Sequence, residues 1–367
     1  MNNLILIGMI IFISCNSLVT NFDEIEAAVE YSADSIIGDN VPKDTISVMT
    51  WNIRFGAGRT DWFGDHCGDR VILTENQIQT NLEPIRNKLI DLDIDILLLQ
   101  EIDVDSKRSA YIDEVQYLLD ETHLNYGVFA SMWQAQIIPS DGLGRINTGN
   151  AILSRWKLSN AERIQLDLMS DQDALTQYFY LRRNIVKAKI EIPEKENLFA
   201  VNTHLTAFAT DDTKKKHINK YIETLDNLNN EGYKFVSGGD LNSLPPVNEN
   251  DTIPDFCVKD ACDGENFHSE TDGGPHKSGS YFAYDDDENS WLQPLYNNYI
   301  PGISEENRNN IEHYTHSPGT QTELDRKLDY LFTNLEKVDG SERSLQENTN
   351  ISDHIPVIMN VVLLEGE

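Results

Sequence analysis

Two rhythms of apolar and polar positions run along this chain. Thr45 to Phe55, TISVMTWNIRF, is rich in β-branched and aromatic residues and predicts a strand. From Glu75 to Leu92 the apolar positions Ile78, Leu82, Ile85 and Leu89 recur at helical spacing. Asp93 to Asp103, DIDILLLQEID, has a continuous apolar centre, which predicts a strand buried on both faces. A helix is expected over Tyr111 to Leu124. Strands are expected near Tyr126 to Trp133, Gly149 to Ser154, Tyr180 to Ile192 and Leu198 to His204. Thr213 to Asn230 reads as a lysine-rich, mostly solvated helix, followed by a strand at Tyr233 to Ser237. LDYLF at Leu328 and HIPVIMNVVLL from His354 are the closing strands. Residues 251–321 are polar and rich in Gly, Asp, Asn and aromatics, and read as a long loop insertion. Strands and helices mixed within one long segment predict an α/β build.

Composition narrows the function. The chain has 367 residues, with 40% hydrophobic and 25% charged, which suits one large globular domain or two small ones. Its 61 acidic residues against 29 basic ones give a formal net charge of -32. Tight, non-specific polynucleotide binding rests on neutralised phosphates and is disfavoured by this balance. A small phosphorylated substrate, or a local basic pocket on an acidic body, remains compatible with it.

The N-terminus, MNNLILIGMIIFISCNS, carries an apolar run from Leu4 to Ser14 that is short for a bilayer span. It fits the core of a secretory signal, and Cys15 stands where a bacterial lipoprotein signal ends on its lipidated cysteine. A plain cleaved signal or a short anchor is the alternative. The expected organisation is a signal at 1–15, a polar tether at 16–42 and one domain from 43 to 367. Export is the expected localisation: a membrane-anchored lipoprotein, or a periplasmic or secreted protein. Cys67, Cys257 and Cys262 are the other cysteines, and the last two are close enough to oxidise in an exported protein. No CxxC pair supports a zinc ribbon.

Six apolar runs carry acids, amides or histidines at an end. Asn52 lies in TWNI, Glu101 ends LLLQE, and His204 ends FAVNTH. Asp240 and Asn242 follow YKFVSGG, Asp329 sits in KLDYLF, and Asp353 and His354 precede IPV. Singly, such residues are most often turn, cap or structural residues. Together they match the place where α/β proteins gather ligand sites. Glu101, Asp240, Asp353 and the amides of Asn52 and Asn242 are hard oxygen donors that suit Mg²⁺ or Mn²⁺. His204 and His354 can donate to a phosphoryl group or shuttle a proton, and Asp329 can orient an imidazole. That set fits phosphoester hydrolysis with metal and acid–base help.

WNI, LLLQE, GNAILSR, VNTH, GGDLN, KLDYLF and SDHIPV follow one another in the order of the endonuclease/exonuclease/phosphatase superfamily, which the chain resembles from about Ile46 to Leu364. That superfamily includes DNase I-like nucleases, apurinic-site endonucleases, neutral sphingomyelinases, inositol polyphosphate phosphatases and tyrosyl-DNA phosphodiesterases. The resemblance implies a four-layer α/β sandwich, with two mostly antiparallel β-sheets packed face to face and flanked by helices. It also implies a Mg²⁺-dependent phosphoesterase. Glu101 matches the principal metal-binding glutamate and Asn52 the asparagine beside it. Asp240 and Asn242 match the pair that positions the attacking water and the phosphate, with Asp240 as the candidate base. His204 and His354 match phosphate-contacting histidines, Asp329 the aspartate that orients His354, and Asp353 a further metal position. The resemblance leaves open which group is the base and whether one or two metals act.

Further candidates come from single residues. Asn150 resembles a cleft-lining asparagine. Arg145, Arg182 and Arg183 are scarce positive charges near strand edges, able to clamp phosphate or simply to pair with acids. His66, His313 and His316 read as ordinary loop histidines. Trp62, Phe63, Tyr281, Phe282 and Trp291 read as substrate wall or satellite core. The expected protein is an exported, monomeric hydrolase of phosphodiesters or phosphomonoesters on a small molecule or phospholipid headgroup. The alternatives are a secreted nuclease, or a binding protein that kept the fold without the chemistry.

Overall fold

A computed structural model describes residues 17–64, 68–195, 197–207, 209, 211–247, 288–317 and 322–363. In chain order the first elements are β1 (Ile25–Ala27), β2 (Val29–Ser32), β3 (Thr45–Asn52), α1 (Glu75–Asp91), β4 (Ile96–Asp103) and α2 (Glu114–Asp120). Then come β5 (Tyr126–Ile138), β6 (Gly144–Ser154), β7 (Leu158–Gln165), α3 (Ala174–Phe179), β8 (Asn184–Ile190), β9 (Leu198–His204) and α4 (Thr213–Asn230). The last are β10 (Lys234–Asp240), α5 (Gln293–Asn298), β11 (Ile300–Pro301), β12 (Asp329–Thr333), β13 (Arg343–Ser344) and β14 (Val357–Val362).

The strands form two seven-stranded sheets, ordered β13-β14-β3-β4-β6-β5-β2 and β1-β7-β8-β9-β10-β12-β11. Among the strands of the described residues, only β3 with β4 and β9 with β10 run parallel. The continuous apolar run of β4 is explained by its place between two layers. Ile96 and Leu98 face the second sheet, meeting a core that includes Val186, Ala200, Val236 and Leu331. Leu97 and Leu99 face the other way, into the core built on Ile78, Leu82, Ile85 and Leu89 of α1. On the far side, Ile218, Tyr221 and Leu225 of α4 cover Val201, Phe235 and Phe332. The result is helix, sheet, sheet, helix: the expected four-layer α/β sandwich. Burying one such Leu or Ile contributes about 1.5–3 kcal/mol. α1 starts at Thr74 through a reciprocal capping box with Gln77.

One polar bridge crosses the apolar layer between the sheets. Gln100 Nε2 donates to Asn202 Oδ1 at 2.6 Å, and Asn202 Nδ2 donates to the carbonyls of Leu99 and Ala151. All these groups are buried and satisfied, which makes the bridge a register lock.

Several expectations are corrected. The expected polar tether at 16–42 carries structure within its described residues, 17–42: β1 closes one sheet by pairing with β7, and β2 closes the other by pairing with β5. These edge strands bury little: Ile25 and Val29 are exposed and Glu26 is half-buried, so no apolar alternation marks them in the sequence. α4 is not mostly solvated, because His217, Ile218, Tyr221 and Leu225 form a buried stripe. α2 is shorter than expected and is capped by Asp113, while β5 runs on to Ile138. Part of the expected loop at 251–321 is ordered as α5 and β11. His354 precedes the last strand, which starts at Val357. The signal segment 1–15, His66, Cys67, Cys257, Cys262, Tyr281 and Phe282 lie outside the described residues. Among the described residues, no helix is long and apolar enough to cross a membrane.

Candidate active site

The two parallel strand pairs end side by side, and their last residues make the site. Asn52 is the last residue of β3, His204 of β9 and Asp240 of β10. Register then sets Asp240 opposite His204 on one side and opposite Asp329 on the other. Glu101 sits at a register shift between Leu99 and Ile102, with φ of 53°. Such a bulge re-aims a side chain that strict alternation would send elsewhere. Gly239 has φ of 141°, and a Cβ there would lie 1.9 Å from the Thr203 carbonyl oxygen. Glycine is therefore required for β10 to lie against β9 just before Asp240. Asn242, at φ 47°, turns the chain: its backbone N–H donates to Asp240 Oδ1 at 3.0 Å and its amide to the Leu205 carbonyl at 3.0 Å.

Asp240 Oδ2 is the meeting point. Asn52 Nδ2 lies 3.2 Å from it and 3.2 Å from Glu101 Oε1, so one amide ties two carboxylates together. His204 Nε2 is 3.3 Å from Asp240 Oδ2, and His354 Nε2 is 3.6 Å away. Behind His354, Asp329 Oδ2 accepts from Nδ1 at 2.7 Å. Burial pushes the Asp240 carboxyl up to about 7; Asp329 adds to this, against His354, the Asn242 N–H and Asn52. Burial opposes the charge on His354, but Asp329 and Asp240 outweigh it and hold the imidazole well above its usual range. His204 is the opposite case. Burial, then Arg183 and His354, hold it well below the usual range, so it stays neutral. Two histidines on one carboxylate oxygen thus carry different charges.

The remaining candidates divide. Arg183 is buried, its Nε has no partner, and its charge is felt by Glu101, Asp240 and His204, which places it close to the site. Asn150 is fully buried and donates to Asn184, holding β6 to β8, with its Oδ1 unpartnered. Asp353 Oδ1 accepts from Ser352, and its Oδ2 lies 3.4 Å from Arg54 Nε. Arg145 is not brought to the cluster; it is half exposed and is held by Asp105 at 2.7 Å and Gln136 at 2.6 Å. Arg182 is a structural arginine, donating to the carbonyls of Tyr178 and Tyr180 and to Asn21. Trp62 packs edge-on against Phe55 and Phe63, and Trp291 belongs to the α4 core. Sequence reasoning missed Arg54, a buried cation just past Asn52 whose N–H is taken by the Asn52 side chain. Its only signal was its place in WNIRF. It also passed over His316, whose ring lies 4.9 Å from that of His354.

Two groupings compete to hold a divalent metal. Asp240, Asp329 and His354 bring one ligand atom each within 4.8 Å of one another. That triad is the poorer fit, because Asp329 occupies His354 Nδ1 and the imidazole is held charged. Glu101 is the better one: its carboxylate is 27% exposed, and the buried His204 Nδ1, 3.9 Å from its Oε1, has no partner. A hard cation held by Glu101, with Asn52 fixing that carboxylate, fits the donor set. A cavity of about 570 Å³ bordered by Glu24, Asp167, Lys216, Lys220 and Glu223 includes none of these residues.

Residues 49–354 match the model of the Endonuclease/Exonuclease/phosphatase family. No curated protein matches the sequence. Among solved structures, an endonuclease/exonuclease/phosphatase from Beutenbergia cavernae DSM 12333 is similar at a TM-score of 0.53 and 17% identity, covering 88% of this chain and 72% of that one. The human Nocturnin catalytic domain with bound sulfate anion is similar at 0.51 and 16%, covering 92% and 98%. An endonuclease/exonuclease/phosphatase family protein from Leptotrichia buccalis C-1013-b is similar at 0.50 and 14%, covering 86% and 99%. At these identities the likeness is one of fold.

Proposed function

This chain belongs to the endonuclease/exonuclease/phosphatase family and is a hydrolase of phosphoester bonds, and we propose that it is an exported, divalent-metal-dependent enzyme acting on a small or lipid-linked phosphoester. The observation that carries the reading is the convergence of Asn52, His204 and His354 on one oxygen of Asp240, with Asp329 behind His354.

The roles follow from charge. Asp240, titrating near neutrality, takes the proton of the attacking water as the new P–O bond forms. His354, held as imidazolium, donates to the phosphoryl group and protonates the leaving oxygen as the ester P–O bond breaks. His204, neutral, keeps its Nε2 on Asp240 and so fixes the base. Asn242 steadies the other oxygen of the same carboxylate through its backbone N–H. The cation, held at Glu101, would supply charge neutralisation at the phosphoryl oxygens. Asp353 is engaged by Arg54 and Ser352, so its part is to orient this end of the site.

Net charge supports a small or lipid-linked substrate over a polynucleotide. The apolar N-terminal run and Cys15 support export and a lipid anchor at the membrane. The test is turnover of bis-p-nitrophenyl phosphate, sphingomyelin and single-stranded DNA by purified protein beginning near Ser17, with Mg²⁺ or Mn²⁺ and with EDTA. Metal-dependent turnover of the ester or the lipid is expected. Faster turnover of DNA would make it a nuclease, and no turnover of any would remove the enzymatic reading.

A further inference from the structure

Next to the Asp329–His354 pair stands a second carboxylate–imidazole pair. His316 Nδ1 lies 3.2 Å from Asp325 Oδ1. A carboxylate only accepts, so Nδ1 carries the proton in this contact. Arg326 grips the same carboxylate, with Nε at 2.8 Å and Nη2 on the other oxygen. Burial opposes the Asp325 charge, but His316 and Arg326 outweigh it and hold the group far below the usual carboxylate range.

The backbone dictates where His316 points. His316 and His354 face each other across an antiparallel bridge. The hydrogen bonds on either side are Ser317 N–H to Asp353 O at 2.9 Å and Ile355 N–H to Thr315 O at 2.8 Å. The pair itself is therefore a non-hydrogen-bonded one, in which side chains leave on the same face at the closest spacing. The rings meet edge to face, with centroids 4.9 Å apart and planes at 70°. His354 points its Nε2 at Asp240, and the His316 ring stands one ring away from this site. Its side chain is 18% exposed, and among the described residues nothing takes its Nε2.

Two imidazolium rings in contact repel, and His354 holds its charge through Asp329. His316 is the neutral partner, with burial, His354 and Arg326 outweighing Asp325. Neutral and protonated on Nδ1, it presents a lone pair at Nε2. Ionised phosphate oxygens accept only, so this nitrogen suits a hydroxyl donor instead.

We propose that His316 is a specificity-determining residue whose Nε2 accepts a hydrogen bond from a hydroxyl on the alcohol esterified to the phosphate. This rests on the phosphoesterase reading and narrows it to esters of polyhydroxylated alcohols, such as sugar-like or glycerol-like groups. A quaternary ammonium group lacks the donor. Asp325 and Arg326 act through His316 as positioning residues.

The experiment compares glycerol 2-phosphate with p-nitrophenyl phosphate, the second lacking a hydroxyl. Wild type, His316→Ala and His316→Gln are assayed on both, with Asp325→Asn as a further variant. For His316→Ala, kcat/KM is expected to fall at least about ten-fold more on the glycerol ester than on the aryl ester, the effect of one good hydrogen bond. His316→Gln keeps an acceptor and should recover part of that ratio, while Asp325→Asn should show a smaller loss of the same selectivity. Equal losses on both esters, or none on either, would overturn the proposal while leaving the phosphoesterase intact. Wild type inactive on both esters but active on bis-p-nitrophenyl phosphate, with the metal present, would overturn this inference alone; wild type inactive on all three would overturn the phosphoesterase reading with it.

Discussion

Asp329 holds His354 by a 2.7 Å hydrogen bond to Nδ1, and no polar atom of the described residues takes the other Asp329 oxygen. The carboxylate is thus committed to one imidazole. It fixes the tautomer, aims Nε2 at Asp240 and keeps the ring charged.

Replacing Asp329 by Asn removes the charge but keeps the shape. We expect kcat to fall about 10²- to 10⁴-fold, the usual range for one acid–base element. The sign of the pH effect follows from His354. Its proton is favoured by Asp329, so without that charge it is lost at lower pH, and the alkaline limb of the rate profile moves to lower pH. A pH–rate profile of the variant that is parallel to wild type would remove Asp329 from this role. His354→Ala and Asp240→Ala should each cut hydrolysis by a similar factor without unfolding the chain.

Glu101 and Asn52 make the metal prediction. Glu101→Gln should raise the Mg²⁺ or Mn²⁺ concentration for half-maximal activity by at least about ten-fold, in line with the loss of a charged ligand. Asn52→Ala should raise it less, because it frees Glu101 and Asp240 from their shared donor without removing either. Titrating each variant with metal after chelation reads both effects. An unchanged requirement in Glu101→Gln would place the cation elsewhere.

His217 makes a stability prediction. Its Nδ1 accepts the Thr206 N–H and its Nε2 donates to the Asp167 carbonyl, a pattern that only the neutral ring satisfies. Burial pushes its pKa down to about 4 from an ordinary 6.5. Between those values the unfolded chain binds a proton that the folded chain refuses, so stability is full above about 6.5 and falls toward 4. The loss approaches roughly 3 kcal/mol at the acid end. His217→Asn should shrink that part of the slope when denaturant midpoints are compared at pH 7 and pH 4.5. Equal slopes would discard the linkage.

Asn202 predicts a cost at the sheet interface. Asn202→Ala strips partners from Gln100 and from the carbonyls of Leu99 and Ala151, all in the apolar layer. We expect a loss of about 3 kcal/mol, set by the orphaned groups rather than by the lost contact. Urea unfolding of the variant measures it, and a loss well under 1 kcal/mol would mean that water enters the layer.

Much of the fold was legible because a strand buried on both faces, like β4, leaves an unbroken apolar word. The stripe of Ile78, Leu82, Ile85 and Leu89 likewise announced α1. The site was legible as a set of strand ends. What was not legible is what depends on partners far along the chain. Nothing in HYTH says that His316 pairs with His354, or that Arg54 lies against Asp353. β1 and β2 were missed because edge strands bury little, so the apolar alternation that marks a strand is faint there. Arg145 looked like a phosphate clamp only because its acid partner, Asp105, is an unremarked loop residue in sequence.

The two N-terminal strands also set a leash. Val19 already bridges Ala135, and β1 and β2 follow at once on the outer edges of the two sheets. Cys15 stands four residues before Val19. At full extension four residues reach about 14 Å. A lipid on that cysteine would moor the body against the bilayer by its edge strands rather than hang it on a long polar cord. The enzyme would then graze a nearly two-dimensional field of headgroups, with little of the bulk fluid within its reach.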